Sequence, residues 1–464
     1  MPYIRILFIV FVVMFTLGLA GIAAATGEDE IVVNFEEATS QFPNGVTFEI
    51  SVESSSPIEE IRVFYKSELT STTSYGHVEL EPGNSVEGSF FLDTGGGVGG
   101  FIPAGAKFVY SFEVRDQAGN VLRTKEKEFV YLDSRFEWVT MSEGPLTVYH
   151  YGPTEKRAET VLRSAQEAVI KMSRVLGVAE IEPINIIAYN NYRHMVVALP
   201  PRSQAVREDL VTQGQAFTEI RVLLVLAFDE DIAGITSHEV THILIDDAAG
   251  RGYAVLPIWL NEGLAEFGNI APSESYDDAL LYGIYTRRVK PLWHLQSFSG
   301  GPDDVIIGYG QSRSVVAYLV NSYGEEKMSQ FMRTLDATLS VDRALTQVYG
   351  FDQRGLDTEW RNWIGLRPLE EGELDAEGPP EAASEAEAVP EPAPTASPTP
   401  ALGSTPAPVH TAMPSEDEGE DVRTSPGCNR ASGSSAAIPT DAFFFVLLAG
   451  PLGFMPLRRL IRRR

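Results

Sequence analysis

The sequence predicts a multidomain fold: an N-terminal all-β sandwich, an α+β domain with a mostly helical C-terminal lobe, a disordered linker and a C-terminal transmembrane helix. Three observations predict this order. Apolar and polar residues alternate in short runs over 31–133, apolar positions recur at helical spacing over much of 145–366, and a low-complexity stretch precedes a final apolar run. A chain of 464 residues has room for two or three domains with cores of their own.

Residues 1–25, MPYIRILFIVFVVMFTLGLAGIAAA, have the three parts of a secretory signal peptide. Arg5 is the positive charge, 6–20 form the apolar core, and 23–25 are the small residues that precede cleavage. An uncleaved membrane anchor is the alternative, and both interpretations predict an exported chain. Cys428 is the only cysteine, so stability must come from the core and from bound ions rather than from an internal disulfide.

The β-sandwich is predicted for residues 31–135. Glycine-rich and asparagine-rich turns separate five alternating runs, which are 46–54, 61–66, 85–93, 107–116 and 121–133. The stretch FIPAGAKFVYSFEVRDQAGNVLRT (101–124) resembles immunoglobulin-like or fibronectin type III-like modules of bacterial surface proteins. That resemblance implies a structural or spacer role, because no titratable residues cluster in this part of the sequence.

The α+β domain is predicted for residues 145–366. It would begin with a helix over 154–178, with Thr154 as N-cap, then a buried strand over 184–189 and one or two strands within 213–228. The remaining predicted helices are 232–247, 257–269, 274–289, 309–323, 325–336, 340–349 and 354–363.

The C-terminal part of the sequence predicts attachment to a membrane. Residues 369–440 are acidic and rich in Pro, Ala, Ser and Thr, a composition that cannot form a core and predicts a disordered linker. Residues 441–464 predict a transmembrane helix with an arginine-rich cytoplasmic end, which places the rest of the chain outside. Together with Cys428, this tail resembles the C-terminal sorting signals of bacterial surface proteins, so it is either cut for sorting or kept as an anchor.

The charge of the chain argues against one class of partner. The apolar content of 44% is ordinary for a globular protein, but the net charge is −28, and nucleic-acid binding needs a basic surface. Nucleic acid is therefore not an expected partner.

The stretch SHEVTHIL (237–244) carries the residues most relevant to function. On a helix, His238 and His242 are one turn apart and share a face, so both imidazoles can reach one zinc ion. Glu239 lies about 100° around the axis, close enough to take a proton from metal-bound water. HExxH alone is a short pattern, and two histidines on an apolar helix can also be core residues bonded to the backbone.

A second stretch, PIWLNEGLAEF (257–267), favours the metal site. HExxH followed by NExxx(D/E) on a second helix resembles the gluzincin, thermolysin-like zinc metallopeptidases, and WLNEGLAEF resembles their peptidase MA-like members on bacterial surfaces. The resemblance covers about 145–365. It implies that His238, His242 and Glu262 bind Zn²⁺ with water in the fourth position, and that Glu239 is the general base and later the proton donor to the leaving amine.

The same resemblance implies two supporting residues. Glu266 would accept a hydrogen bond from a ligand histidine, although Asp246 and Asp247 could compete for that role. Tyr309, in IGYGQSRSVVAYLVNSYG (307–324), would donate to the oxyanion; an aromatic residue packed at a helix start is the alternative interpretation. Tyr282 and Tyr285 are the other candidates for that donor.

The resemblance implies a cell-surface zinc metallopeptidase that acts on a peptide or protein substrate. The GxMEN signature that holds a free substrate amine in related aminopeptidases is absent, which favours an endopeptidase whose substrate adds as a strand to a sheet edge. The competing hypothesis is an inactive surface-anchored module with a fold-stabilising zinc site. Three ligands beside a glutamate favour the enzyme, because structural zinc sites usually have four protein ligands and use cysteine. The sequence leaves the oligomeric state open.

Overall fold

The computed structural model describes residues 31–370, apart from 71, 95–100, 201–212, 229–230, 273, 297 and 299–300. The predicted signal peptide, nearly all of the predicted linker and the predicted C-terminal transmembrane helix lie outside these residues. Within the described part of the chain, none of the helices is both long and apolar enough to cross a membrane.

The N-terminal domain is built from antiparallel strands. In the described residues these are β1 Val32–Ser40, β2 Gly45–Ser67, β3 Ser74–His77, β4 Gly83–Asp93, β5 Lys107–Asp116, β6 Val121–Arg123 and β7 Lys127–Val130. The predicted strand 121–133 is thus two short strands, β6 and β7, and residues 124–126 between them belong to neither strand.

Strand β2 belongs to both layers of this domain. Its first part pairs with β1 and β4 and its second part with β3 and β5, and the register shifts between Glu53 and Ile58. The Phe48 ring, from the first part, lies 5.7 Å from the Tyr65 ring of the second part and 5.3 Å from the Tyr110 ring of β5. The two halves therefore bend back to face each other. The predicted strands 46–54 and 61–66 are one bent strand rather than two.

A second sheet follows, with the order β11-β12-β10-β9-β8. Its strands are β8 Trp138–Glu143, β9 Leu146–Tyr151, β10 Ile184–Tyr189, β11 Gly214–Phe217 and β12 Val222–Leu226. Strands β9, β10 and β12 are parallel, and β8 and β11 are antiparallel edges. β10 has the predicted bounds and 213–228 contains two strands. The β8–β9 hairpin was not predicted, so this sheet begins before the expected boundary at residue 145.

Most of the helices lie on one side of this sheet and beyond it, and the short helix 192–195 packs on the opposite face through Met195. In the described residues they are α1 Glu155–Leu176, α2 Tyr192–Met195, α3 Ile232–Ala249, α4 Ile258–Gly268, α5 Glu274–Tyr285, α6 Pro302–Tyr323, α7 Glu325–Thr338, α8 Val341–Tyr349 and α9 Gln353–Trp363. Helices α1 and α3 pack on each other and on the sheet.

Three details of the helices differ from the predictions. Helix α6 begins well before residue 309, because Pro302 is preset for a first helical turn and the acidic residues Asp303 and Asp304 follow it. Helix α5 ends before the predicted residue 289, and Arg287 just beyond it has a φ of 60°. Thr154 is the N-cap residue of α1, but its hydroxyl donates to the Tyr151 carbonyl instead of accepting from the helix.

The two faces of the second sheet lie in different cores. One face packs with α1 and α3 through Leu146, Val148, Ile184, Ile186, Leu223 and Val225. The opposite face packs with the N-terminal domain through Tyr149, Tyr151, Ile187, Tyr189, Val222 and Leu224. The contact is close, because a Cβ added to Gly105 would lie 2.9 Å from the Ile187 side chain. The N-terminal domain therefore covers this face of the sheet.

Candidate active site

The predicted metal ligands lie on two buried helices that cross closely. His238, Glu239 and His242 are in the middle of α3, where every residue from 234 to 245 is buried, and Glu262 is in α4. A helix that is buried on all sides belongs to the core. The helices approach at Gly268, where an added Cβ would lie 2.1 Å from the Thr241 hydroxyl.

Three ligand atoms converge between these helices. His238 Nε2 is 3.2 Å from His242 Nε2, and Glu262 Oε2 is 3.4 Å from the former and 3.8 Å from the latter. Ligands about 2.0–2.1 Å from a tetrahedral zinc ion are roughly 3.3 Å apart. This triangle therefore has about the dimensions of three of the four ligand positions around zinc. Within the described residues, no other group of three or more His, Cys, Asp or Glu side chains meets the same requirement.

Polar contacts behind the triangle orient its two imidazole corners. His238 Nδ1 lies 2.8 Å from Glu266 Oε1, and His242 Nδ1 lies 3.1 Å from Asn261 Oδ1. Both oxygens only accept, so each Nδ1 carries a hydrogen, and each Nε2 presents a lone pair when its imidazole is neutral. The buried Glu262 Oε2 has no hydrogen-bond donor among the described residues. Three converging buried acceptors repel one another, and a cation satisfies them, so these residues fit zinc.

The electrostatics of the site favour positive charge. Burial opposes protonation of His238, but the carboxylates of Glu266 and Glu262 outweigh burial and raise the pKa of His238 well above its usual value. The same field that stabilises a proton here stabilises a metal cation.

Glu266 occupies the position that the sequence predicted, beside a ligand histidine. Asp247, one of its predicted competitors, instead forms an ion pair with Arg221. The structure adds Asn269, whose Nδ2 donates to Glu266 Oε2 at 3.2 Å and whose Oδ1 accepts from the Ala271 amide at 2.9 Å. Asn269 thus orients the carboxylate that orients His238. In the sequence, only the position of Asn269 just after the ligand helix α4 could have indicated this role.

The side chain of Glu239 extends from α3 towards the edge strand β11. Its side chain is 1% exposed and packs against Gly214, the first residue of β11. In the described residues β11 pairs only with β12. The proposed general base is therefore beside a strand edge.

Tyr309 is buried in α6. Its ring lies 5.4 Å from the Tyr276 ring and 5.0 Å from the Phe298 ring. One turn further along α6, the Ser312 carbonyl would lie 2.5 Å from a Cβ added to Gly263, the residue after Glu262. Tyr309 is thus close to the ligand helix, and its role as oxyanion donor stays a prediction.

The other two tyrosine candidates lie on the surface of α5. Tyr282 and Tyr285 are 43% and 87% exposed, in contrast to the buried ligands. The Tyr282 ring is covered by the Arg288 guanidinium at 5.9 Å.

Residues 164–365 match the family model of the Peptidase MA superfamily. No curated protein matches the sequence. Similar solved structures include a mutant M1 zinc metallopeptidase from Deinococcus radiodurans bound to a Tyr-Ser-Ala substrate, at 12% identity over 70% of this chain and 91% of that one, with a TM-score of 0.29. An M1 zinc metallopeptidase from the same organism has 13% identity, the same coverage and a TM-score of 0.26. A Br derivative of BhCBM56 has 14% identity over 20% of this chain and 88% of that one, with a TM-score of 0.15. These TM-scores are too low to establish a common fold.

Proposed function

We propose that the protein is a zinc-dependent endopeptidase with Glu239 as general base, and the match of residues 164–365 to the family model of the Peptidase MA superfamily supports this proposal. The observation that carries the proposal is the convergence of ligand atoms from His238, His242 and Glu262 within 4.8 Å of one another. Three protein ligands leave a coordination position for water or substrate, whereas structural zinc sites usually close with a fourth protein ligand. Glu239 lies next to these ligands in the same helix.

Each residue of the site has a chemical role in this proposal. When bound, zinc would polarise the scissile carbonyl and lower the pKa of water towards neutrality. Glu239 would accept a proton from the attacking water and return it to the leaving amine. Glu266 and Asn261 would hold the two imidazoles by Nδ1 and keep each Nε2 lone pair directed at the cation. Tyr309 would donate to the oxyanion.

The edge strand supports an endopeptidase. β11 has the sequence GQAF, and its start lies against Glu239, so a peptide that paired with β11 would pass the general base. None of these four residues is a carboxylate that could bind a free α-amino group. A substrate held by backbone pairing needs no free terminus.

The proposed location is the outside of a bacterial membrane. It rests on the signal-like residues 1–25 and the apolar, arginine-ended residues 441–464. Expression of the full chain and of a chain ending at residue 370, followed by cell fractionation, tests it. The full chain should be in the membrane or wall fraction and the shorter one in the medium; recovery of both in the cytoplasm would contradict the proposal.

The catalytic proposal is tested with zinc analysis and a library of peptides blocked at both ends. Wild type should bind zinc and cleave internal bonds. Glu239→Gln should keep the zinc and lose about 10²–10⁴-fold in kcat, because the proton acceptor is gone. Glu326→Gln, a surface change on α7, is the matched control and should behave as wild type. Equal cleavage by Glu239→Gln would remove Glu239 as base, and zinc binding without cleavage by wild type would support the inactive module.

A further inference from the structure

The first residue of β11 is in direct contact with the proposed general base. A Cβ added to Gly214 would lie 2.3 Å from Oε1, 2.6 Å from Cγ and 2.7 Å from Cδ of Glu239. Carbon atoms in favourable contact are about 3.5–4.0 Å apart, so even one methyl group here would overlap the outer part of the glutamate side chain.

Neither partner has room to move aside. Gly214 is buried and paired with Val225 of the neighbouring strand, and Glu239 is 1% exposed on a helix buried on all sides. A displaced Glu239 carboxylate would therefore have to intrude on other packed groups.

Backbone conformation does not explain this glycine. Gly214 is not among the glycines with positive φ, so its backbone is accessible to any residue. Glycine weakens a strand interior and often marks a site where another group approaches closely. Here the approaching group is the Glu239 carboxyl group.

We propose that Gly214 is a positioning residue for the general base: the absence of a side chain at 214 creates the space that holds the Glu239 carboxylate beside β11. This inference rests on the proposed function, in which Glu239 is the base. The three atoms nearest to the added Cβ all belong to Glu239 and none to a metal ligand. A substitution at 214 should therefore displace the base and leave the metal triangle in place.

The packing part of the inference is tested without any activity measurement. Melting temperatures are measured for wild type, Gly214→Ala, Glu239→Ala and the double variant of the whole protein. Gly214→Ala should lower the melting temperature of the wild type and have no effect in the Glu239→Ala background, where the space is vacated. Gly83→Ala is the matched control, because the atom nearest to its added Cβ is 3.6 Å away. An equal loss from Gly214→Ala in both backgrounds would overturn the inference.

The catalytic part is tested by kinetics on the zinc-loaded protein. Gly214→Ala should bind zinc in the same ratio as wild type, lose about 10²-fold in kcat and change KM little, since a displacement of about 1 Å costs that much in a catalytic group. Gly83→Ala should keep the wild-type kcat. Full kcat in Gly214→Ala with an inactive Glu239→Gln would overturn the inference and leave the proposed function intact. An active Glu239→Gln would overturn the proposed function and, with it, the role of Gly214.

Discussion

The two faces of the second sheet differ in composition and in task. The face towards α1 and α3 is aliphatic, and through α3 it supports the metal ligands and Glu239. The face towards the N-terminal domain carries aromatic rings, including Tyr149, Tyr151 and Tyr189. Successive side chains of each buried strand point to opposite faces. One residue therefore packs towards the helices of the site, and the next packs against the N-terminal domain.

Polar groups strengthen the second face at the link between the domains. Asp133 is fully buried and accepts from Arg135 Nε at 2.8 Å and from the Tyr189 hydroxyl at 3.2 Å. The Phe136 ring stacks on the Tyr151 ring at 4.1 Å and 12°. Buried polar groups with satisfied hydrogen bonds favour one arrangement of the packed surfaces over others. The N-terminal domain is thus joined to the sheet in a defined orientation.

The largest expected effect follows from removing the N-terminal domain. A chain without residues 31–135 would expose the aromatic face of the sheet, so we expect it to aggregate or to melt without cooperativity. Soluble yield, size-exclusion chromatography and circular dichroism test this. A soluble monomeric fragment with a sharp thermal transition would show that the two faces do not differ in this way.

Two adjacent leucines in β12 provide a matched comparison of the faces. Leu223 packs in the helical core and Leu224 in the core shared with the N-terminal domain, and both are 0% exposed. Each Leu→Ala change should lower the free energy of unfolding by about 2–5 kcal/mol in denaturant titrations. Only Leu223→Ala should also weaken zinc binding against a chelator, because its face supports α3. Equal zinc affinities in the two variants would contradict the division of tasks.

A smaller effect is expected at Asp133. Asp133→Ala leaves the Tyr189 hydroxyl without its buried acceptor, while Arg135 is still partly in water, so we expect a loss of about 1–3 kcal/mol in unfolding free energy. The kcat of the zinc-loaded variant should equal that of wild type. A large fall in kcat would mean that the interdomain link influences the active site.

The smallest effect, and a pH dependence, are expected for Tyr189→Phe. Burial and then the Asp133 charge raise the pKa of Tyr189 well above its usual value. An unfolded tyrosine ionises near pH ~10, so the stability from the neutral buried phenol is complete below that pH and is lost as pH rises towards the folded pKa.

Tyr189→Phe should cost about 0.5–1.5 kcal/mol at neutral pH. It should also make the decline of melting temperature above pH ~10 shallower, because one group that links stability to pH is removed. Tyr285→Phe, at an 87% exposed position, is the control and should change neither property. Alkaline melting curves with the same slope for wild type and Tyr189→Phe would show that Tyr189 contributes no pH dependence.

Local sequence patterns predicted those features that depend on a short run of residues or on a short motif. The run INIIAY predicted β10 with its observed bounds, and the resemblance of HExxH and NExxx(D/E) to gluzincins implied His238, His242 and Glu262, which the structure brings together. Both depend on near neighbours in sequence or on a motif with fixed geometry.

Features that depend on distant contacts were not predictable from these patterns. The continuous apolar run of β12 shows that both faces are covered, but not that the N-terminal domain covers one of them. β8 is a half-exposed edge strand with little alternation. Gly214 reads as an ordinary strand glycine until Glu239 is placed against it.

Zinc-edge X-ray absorption of the purified protein measures whether His238, His242 and Glu262 hold one zinc ion. We expect one zinc per chain with two imidazole nitrogens, oxygen ligands and no sulfur, and loss of this spectrum in Glu262→Ala but not in the exposed-site variant Glu326→Gln. If the protein bound no stoichiometric zinc, or if its zinc environment were unchanged in Glu262→Ala, these three residues would not be the ligands.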